Sequence, residues 1–287
     1  MADFDIIEHR VPIGDVTLNV AEVGSGPPVI LLHGWPDSWH LWRAQMDALA
    51  RSGHRVIAPD LRGFGESDQP QAVDEYGLGK SIGDVGAILD HFDIERAAVV
   101  GHDWGAVVAW LFATFVPERV ERLVAVSVGH PRAFAGAGFA QKQLSWYMMW
   151  FQFPGVAEAA FVENDWELFR NWAHAGAARG SDEYLERQIA DLSRPGRLTA
   201  GFNWYRANVS PATFAGDGRG IDLPPVACPV MGVWSSGDVV LGEVQMTGSE
   251  RFVSGPWRYE RIEGASHWIP VSASEQLSAL LVEFLSD

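Results

Sequence analysis

Short apolar runs alternate with helix-like segments through the first half of the chain. Runs rich in Val, Ile, Leu and Ala predict buried strands at residues 28–32, 55–59, 97–100 and 122–128. Helical spacing marks the segments between and after them at residues 41–52, 80–91 and 106–115. Strands that alternate with helices predict a parallel sheet with helices on both faces. Two earlier runs, residues 6–12 and 16–21, predict an antiparallel hairpin.

The pattern changes after Pro131 and returns near Pro229. Residues from about 133 to 220 lack strand-like runs and have the character of helices, with aromatic residues scattered among charges. Strand runs resume at residues 229–234 and 257–262, and a closing helix follows at about 272–285. We therefore predict an α/β protein whose doubly wound, mostly parallel sheet carries an inserted helical cap. Its core is predicted at residues 1–132 and 221–287, and its cap at residues 133–220.

One motif joins the end of a predicted strand to the start of a predicted helix. It is Gly101-His102-Asp103-Trp104-Gly105. The flanking glycines permit a sharp turn that lifts the central side chain, as in the nucleophile elbow of hydrolases, where a Ser usually stands. The helix N-terminus favours an ionised carboxylate at this point. Taken alone, Asp103 is equally well explained as the N-cap of the following helix.

A second acid and a His follow in the chain order that elbow hydrolases use for their triads. Asp238 comes just after the run at residues 229–234, and His267 lies between the last predicted strand and the last predicted helix. We predict that Asp238 orients His267 and stabilises its cation. Glu243 is a weaker rival for the position of the acid.

The segment His33-Gly34-Trp35-Pro36 follows the predicted strand at residues 28–32. Elbow hydrolases take one oxyanion donor from this loop and another from the residue after the nucleophile. The backbone N–H groups of Trp35 and Trp104 are therefore the predicted oxyanion hole. We hypothesise that the Trp35–Pro36 bond is cis, which would orient this loop. A trans bond would reject the hypothesis.

The identity of the central residue decides which reaction the site suits. A carboxylate that attacks a carboxylic ester would give a reactive anhydride, whereas attack on an sp³ carbon gives an ordinary alkyl ester. Water activated by His267 can hydrolyse that alkyl ester. The residues therefore favour an epoxide or an alkyl halide as the substrate over a carboxylic ester.

The epoxide and the alkyl halide differ in what their leaving groups require from the site. An epoxide oxygen leaves as an alkoxide and needs a proton, which a neutral Tyr hydroxyl can donate at pH 7. The chain has five tyrosines, and the predicted cap contains Tyr147, Tyr184 and Tyr205. Aromatic and Met side chains at residues 146–153 also indicate an apolar pocket, hence lipophilic epoxides.

Taken together, these segments resemble the epoxide hydrolases of the α/β-hydrolase fold. The matching segments are residues 33–36, 60–67, 101–105, 153–158, 203–206 and 264–268. The resemblance implies a triad of Asp103, Asp238 and His267. It also implies that Tyr147 and Tyr205 are the paired donors to the epoxide oxygen. The residues expected to line the substrate pocket are Trp35, Pro36, Trp104, Phe151 and Trp268.

Three alternatives stay open. Haloalkane dehalogenases share the fold and the Asp nucleophile, but they usually carry a polar residue where this chain has Trp35. A serine esterase has one motif in its favour, Gly79-Lys80-Ser81-Ile82-Gly83, but no strand-like run precedes it, and Ser81 is more simply the cap of a helix. A non-catalytic binding protein on this fold is the third, although it would not need the triad and the tyrosines.

The composition of the chain disfavours several classes of binding partner. The chain of 287 residues has a formal net charge of -16, which disfavours nucleic acid and anionic lipid surfaces. One Cys excludes an intrachain disulfide, and the nine His show no metal-ligand spacing. The N-terminus lacks a signal-peptide pattern, and the apolar stretch at residues 106–116 is too short to span a bilayer. We therefore expect a cytoplasmic monomer or homodimer without metal or cofactor, acting on a small lipophilic epoxide and water.

Overall fold

The computed structural model describes residues 5–173, 182–216 and 222–286, and these residues contain one eight-stranded sheet. In chain order its strands are β1 (Ile7–Ile13), β2 (Val16–Gly24), β3 (Pro28–Leu32), β4 (Arg55–Pro59), β5 (Ala97–His102), β6 (Val120–Val126), β7 (Val230–Ser235) and β8 (Trp257–Ile262). In space they lie in the order β1-β2-β4-β3-β5-β6-β7-β8. β2 pairs antiparallel with both β1 and β4, and the other neighbours are parallel. The predictions of a mostly parallel sheet and of an N-terminal hairpin are confirmed.

The helices occupy the connections between the strands and the segment that follows β8. In chain order they are α1 (Arg43–Arg51), α2 (Leu78–His91), α3 (Trp104–Phe115), α4 (Pro131–Ala135), α5 (Phe139–Leu144), α6 (Tyr147–Trp150), α7 (Val156–Leu168), α8 (Asp182–Ser193), α9 (Arg197–Asn208), α10 (Pro211–Ala215), α11 (Glu243–Thr247), α12 (Ile269–Ser272) and α13 (Ser274–Ser286). Short 3₁₀ helices span Trp39–Trp42, Val73–Tyr76, Pro117–Arg119 and Gly248–Phe252, and a π-helical turn spans Phe169–Ala173. Within the sheet layers, α1 packs on α13 and α2 packs on α3.

The central strands are buried along nearly their whole length. Every residue of β5 is buried, as are the last four residues of β3. Strands that are covered on both faces carry apolar residues in an unbroken run, because neither face meets water. This is why continuous apolar segments, and not alternating ones, marked these strands in the sequence.

A helical insertion separates β6 from β7. The helices α4 to α10 belong to it, and its described residues contain no strand. The first of these helices begins at Pro131, close to the start of the predicted cap at residue 133. The predicted end of the cap, between residues 220 and 221, lies outside the described residues. The division of the chain into a core and a cap stays a prediction.

An aromatic cluster joins this insertion to the sheet. The ring of Trp35, from the loop after β3, lies about 6 Å from four rings of the insertion, with centroid distances of 5.6 Å to Phe151, 5.9 Å to Phe161, 5.8 Å to Phe169 and 6.1 Å to Phe202. Aromatic pairs at such distances contribute about 0.5–1.5 kcal/mol each beyond their buried area. The cluster therefore stabilises the contact between the insertion and the strand ends.

No helix among the described residues has both the length and the apolar character that crossing a membrane requires.

Candidate active site

Four loops that follow parallel strands bring the predicted residues together. Leu32 of β3 pairs with Gly101 of β5, and His102 pairs with Val126 of β6. The same register continues through Val126 and Val233 to the end of β8. Because the carboxyl ends of these strands meet at one edge of the sheet, the residues that follow them share one crevice.

Asp103 stands at a sharp turn between β5 and α3. Its backbone has φ 52° and ψ −122°, a conformation that is strained for a residue with a Cβ. A Cβ at Gly101 would lie 2.3 Å from the carbonyl oxygen of Gly105, and one at Gly105 would lie 2.1 Å from that of Leu32. Both glycines are therefore required by close backbone approach. Although Asp103 precedes the helix, its side chain makes no capping hydrogen bond, so the N-cap explanation is wrong.

The Asp103 carboxylate has a different set of partners. Its Oδ1 accepts a hydrogen bond of 2.8 Å from the backbone N–H of Trp35, and its Oδ2 lies 3.6 Å from Nε2 of His267. Burial opposes ionisation, but the nearby His267 and its positive charge, with the backbone N–H of Trp104, outweigh the effect of burial. The pKa of the Asp103 carboxyl is therefore below its usual value. An ionised carboxylate with one loosely held oxygen results.

His267 lies between two carboxylates. Its Nδ1 is 2.8 Å from Oδ2 of Asp238, while its Nε2 faces Asp103. Desolvation would lower the pKa of the imidazole, but the negative charges of Asp238 and Asp103 outweigh this effect and raise it. The raised pKa favours the cationic form of His267, whose charge balances both acids.

Backbone donors fix the second carboxylate. Oδ1 of Asp238 accepts hydrogen bonds of 2.9 Å from the N–H groups of Val240 and Leu241, and its side chain is fully buried. The rival acid, Glu243, instead accepts a hydrogen bond of 2.8 Å from the Tyr259 hydroxyl and pairs with Arg261. The structure thus brings Asp238, and not Glu243, to His267.

The backbone of His267 is anchored separately. Its carbonyl oxygen accepts hydrogen bonds from Nε2 of His102 at 3.0 Å and from the hydroxyl of Ser127 at 2.9 Å. Burial lowers the pKa of His102 to about 3, so this imidazole is neutral and its Nε2–H is the donor. His102, which precedes Asp103 in the motif, thus holds the loop that carries His267, a contact that sequence reasoning missed.

The loop after β3 supplies the remaining backbone donor. The Trp35–Pro36 bond is cis, as hypothesised. His33 accepts a hydrogen bond of 2.9 Å from the backbone N–H of Leu61, and burial lowers the pKa of its imidazole to about 4. His33 is therefore neutral, and its hydrogen bond with the Leu61 backbone holds the loop after β3 in place.

Two tyrosines of the insertion face Asp103. Tyr147 begins α6 and Tyr205 lies in α9, and their rings meet edge to face with centroids 5.9 Å apart. Burial, with the charge of Asp103 added to it, raises the pKa of both hydroxyls well above the usual value. Both hydroxyls are therefore neutral, and each keeps its hydrogen as a hydrogen-bond donor. The third predicted candidate, Tyr184, instead donates its hydroxyl hydrogen to Asp37.

Two cavities meet at this point. The larger, of about 200 Å³, has a mostly apolar lining that includes Leu78, Val107, Val128, Phe134, Met148 and Leu241. The smaller, of about 20 Å³, contacts His267 and Trp172. Asp103, Tyr147 and Tyr205 line both cavities, whereas His267 is in the lining of the smaller one. The carboxylate thus has an apolar space on one side and the imidazole on the other.

The predicted pocket residues separate into three groups. Trp104 lines the larger cavity, and Trp35 and Trp268 line the smaller one. Phe151 and Pro36 line neither: both are buried, and Phe151 stacks on Phe202 with ring centroids 4.1 Å apart. Phe151 therefore packs behind the two tyrosines, and the expectation that it lines the substrate pocket is corrected. Elsewhere in the apolar segment, Trp146 and Phe153 are exposed.

A buried acid that sequence reasoning missed lies directly after the His33–Pro36 segment. Asp37 accepts hydrogen bonds from the Tyr184 hydroxyl, from the Gln188 amide at 2.7 Å and from the Trp268 indole at 3.0 Å. Burial raises the pKa of its carboxyl to about 7 in spite of these donors. Its position directly after the His33–Pro36 segment was the one feature of the sequence that could have identified Asp37 as a site residue. Asp37 ties α8 of the insertion to the loop that carries His267.

Two other expectations concern Ser81 and metals. Ser81 lies inside α2, whose N-cap is Gly77, so the expectation that Ser81 caps a helix is wrong. Its hydroxyl is buried without a hydrogen-bond partner, and no strand precedes it closely, so the esterase motif lacks its structural context. Among the described residues, no three His, Cys, Asp or Glu side chains converge as metal ligands.

Known proteins resemble this chain over nearly its whole length. The family profile of the alpha/beta hydrolase fold matches residues 27–273. AB hydrolase superfamily protein YfhM of Bacillus subtilis (strain 168) is 33% identical over 281 residues, with 95% of each chain covered. Epoxide hydrolase A of Mycobacterium tuberculosis is 31% identical over 316 residues, with 97% of each chain covered. The crystal structure of epoxide hydrolase VrEH1 from Vigna radiata has a TM-score of 0.83 at 30% identity and covers 98% of each chain.

Proposed function

This chain belongs to the epoxide hydrolases of the α/β-hydrolase fold family, and on that premise we propose that it converts lipophilic epoxides to vicinal diols through a covalent ester on Asp103. The observation that carries the proposal is the position of Asp103. Its ionised carboxylate lies between a base that faces Oδ2 and a cavity lined by two neutral tyrosines. A nucleophile, a base and two acids therefore surround one space.

In the first step, Asp103 attacks one carbon of the epoxide. Oδ1 is already held by the Trp35 N–H, so the more weakly held Oδ2 is the attacking atom. The C–O bond of the ring breaks, and its electron pair stays on oxygen. Tyr147 and Tyr205 donate hydrogen bonds to that oxygen, and one of them transfers its proton. General acid help of this kind contributes about 10²–10⁴-fold.

In the second step, His267 changes from a cation to a base. Formation of the ester removes the negative charge of Asp103, which is one of the causes of the raised pKa of His267. The imidazole then releases its proton more easily, and the proton restores the tyrosine hydroxyl through solvent. Neutral His267 takes a proton from water, and Asp238 stabilises the new cation.

Water attacks the ester at the carboxyl carbon of Asp103. Negative charge develops on Oδ1, where the Trp35 and Trp104 N–H groups can stabilise it. Each such donor lowers the barrier by about 2.7–4 kcal/mol. Collapse of the intermediate breaks the bond between the carboxyl carbon and the ester oxygen, which leaves with the diol. The hydroxyl that came from water gives its proton to this leaving oxygen, so the carboxylate is restored. This scheme uses no metal or cofactor.

The two cavities support a spatial division of these steps. The larger apolar cavity suits the epoxide and its hydrocarbon substituents. The smaller cavity, of about 20 Å³, is large enough for one water and contacts His267. The water and the epoxide then reach Asp103 from different sides. The boundaries of core and cap, the oligomeric state and the cytoplasmic location stay predictions.

The test offers a terminal epoxide, a terminal alkyl chloride and a carboxylic ester in parallel. We expect diol formation from the epoxide, and no turnover by Asp103→Ala. Asp47→Ala, which changes a surface carboxylate paired with Arg51, is the control and should keep its activity. Halide release without diol formation would reject the epoxide assignment, and ester hydrolysis that survives in Asp103→Ala would favour a serine enzyme.

A further inference from the structure

The two cavities leave very different amounts of room beside the nucleophile. Asp103, Tyr147 and Tyr205 line both cavities, so an epoxide that these residues bind lies where the cavities meet. The larger cavity has a volume of about 200 Å³, and the smaller one has a volume of about 20 Å³. The smaller space holds about one water molecule, and a methyl group is similar in size. The two carbons of an epoxide therefore meet unequal limits on their substituents.

Val240 is a fixed part of the wall of the smaller cavity. It lies in the loop after β7 and is buried. Its backbone N–H donates a hydrogen bond of 2.9 Å to Oδ1 of Asp238, and its carbonyl oxygen accepts one of 2.9 Å from the Gln141 amide. Gln141, on α5 of the insertion, also accepts a hydrogen bond of 2.8 Å from the backbone N–H of Gly242. The side chain of Val240 therefore cannot retreat unless these hydrogen bonds break.

Two aromatic walls of the smaller cavity are constrained as well. The indole of Trp268 donates a hydrogen bond of 3.0 Å to Asp37. The ring of Trp172 packs against Tyr147 and Phe161, with centroid distances of 4.9 Å and 6.1 Å. Close-packed side chains resist expansion, because the movement of one ring displaces its neighbours. We therefore expect the smaller cavity to keep its size when a ligand binds.

The lining of the larger cavity has a different character. It includes Met148, whose unbranched side chain adapts to irregular shapes. It also includes Thr213 and Phe214 of α10, a helix of five residues, none of which is fully buried. A long substituent is therefore accommodated on this side of Asp103.

We propose that the smaller cavity restricts one carbon of the epoxide to hydrogen or a methyl group, and that Val240 sets this limit. The preferred substrates are then epoxides that carry their chain on a single carbon. This inference rests on the proposed epoxide hydrolase function and names the substitution pattern that the site accepts. A larger group on the second carbon would also take the space of the hydrolytic water, so it would hinder both steps of the reaction.

Three isomeric epoxides of straight-chain hexenes isolate the effect of substituent placement. The terminal isomer carries one butyl group, the second isomer carries methyl and propyl groups in trans, and the third carries two ethyl groups in trans. The smaller substituent is therefore hydrogen, methyl and ethyl in turn. We expect kcat/KM to fall in this order, with a step of about 10–200-fold between methyl and ethyl, the effect of one methylene group in a closed pocket.

Substitutions at Val240 should move this selectivity in both directions. Val240→Ala removes two methyl groups from the wall and should raise kcat/KM for the diethyl isomer about tenfold relative to the terminal isomer. Val240→Ile enlarges the side chain and should lower this ratio below the wild-type value. Val239→Ala is the matched control, because Val239 is exposed and lines neither cavity, and it should keep the wild-type ratio. Intrinsic reactivity and the amount of folded protein cancel when these ratios are compared.

Binding is measured as well, on the Asp103→Asn variant, which keeps the shape of the side chain but cannot form the ester. Calorimetry should show tighter binding of the terminal isomer than of the diethyl isomer, and the difference should shrink in Asp103→Asn/Val240→Ala. Failure of every isomer to give a diol would reject the proposed function. A ratio in Val240→Ala that equals the wild-type ratio in turnover, or in binding where no diol forms, would overturn the role of Val240.

Discussion

The strand-end loops and the helical insertion contribute to the site in different ways. Asp103, Asp238 and His267 follow parallel strands, and hydrogen bonds with the backbone hold the two carboxylates and the loop of His267. Tyr147 and Tyr205 lie on helices of the insertion, where aromatic packing places them. The order of the strands thus positions the proposed nucleophile and base, while side-chain packing positions the proposed acids.

The two halves of the proposed reaction should therefore differ in how well they tolerate substitutions. The proposed triad has one residue for each catalytic role, and each of its carboxylates also raises the pKa of His267. The tyrosines, in contrast, are two similar donors that line the same cavities. We therefore expect a single change at the strand ends to cost more than a single change in the insertion.

The largest effect is expected at Asp238. Replacement by Asn keeps the shape but removes the negative charge that stabilises the His267 cation, and an equivalent change in a triad lowers kcat about 10⁴-fold. Glu243→Gln is the matched control, because this acid contacts Tyr259 and Arg261 instead of His267. Steady-state turnover of an epoxide measures both variants. Equal losses in the two would contradict the assignment of the acid.

The tyrosines should give a smaller loss that depends on whether both are removed. We expect Tyr147→Phe and Tyr205→Phe each to slow ester formation about tenfold, and the double variant to slow it about 10²–10⁴-fold. Single-turnover kinetics measure this step directly. Tyr259→Phe is the control, since its hydroxyl contacts Glu243 away from the cavities. Unchanged rates in both single variants would remove these residues from the mechanism.

The smallest expected effect is on the pH dependence of the free energy of unfolding. Burial lowers the pKa of His33 to about 4 and that of His102 to about 3, so the unfolded chain takes up these protons at a higher pH than the folded protein does. Their contribution is therefore full above pH 6.5 and is lost as the pH falls. Linkage gives a loss of about 2 kcal/mol per histidine between pH 7 and pH 5.

Asp37 opposes this trend, because its raised pKa means that the folded protein takes up a proton in the same range. The histidine term is isolated by comparing His102→Gln with the wild-type protein, since a Gln amide can still donate a hydrogen bond. Urea unfolding at the two pH values should show about 2 kcal/mol less loss in the variant. The same pH dependence in both proteins would mean that His102 is not neutral in the folded state.

The same contrast explains what the sequence could predict. Apolar runs at β3, β4 and β5 located the strands closely, and chain order then brought Asp103, Asp238 and His267 to one edge of the sheet. Backbone geometry of this kind follows from local patterns. The places of the two tyrosines came instead from resemblance to a family, because no periodicity specifies which face of α6 or α9 meets the nucleophile.

Side-chain packing was the part that the sequence could not resolve. Phe151 was expected in the pocket, yet it fills the space behind the tyrosines, since an aromatic residue suits a core and a cavity wall equally. Asp37 gave no periodic signal, because its contacts are with residues distant in the chain. Contacts between the insertion and the sheet are set by the whole fold and not by a local segment.

The covalent ester on Asp103 is the central claim, and it is tested most directly by mass spectrometry of His267→Gln after incubation with a terminal epoxide. This variant keeps the nucleophile but lacks the base, so the ester should form and persist. We expect one adduct per chain, equal in mass to the epoxide and located on the peptide that contains Asp103. The adduct should be absent in Asp103→Ala/His267→Gln. No adduct on His267→Gln, or an adduct on any other residue, would rule out the ester on Asp103.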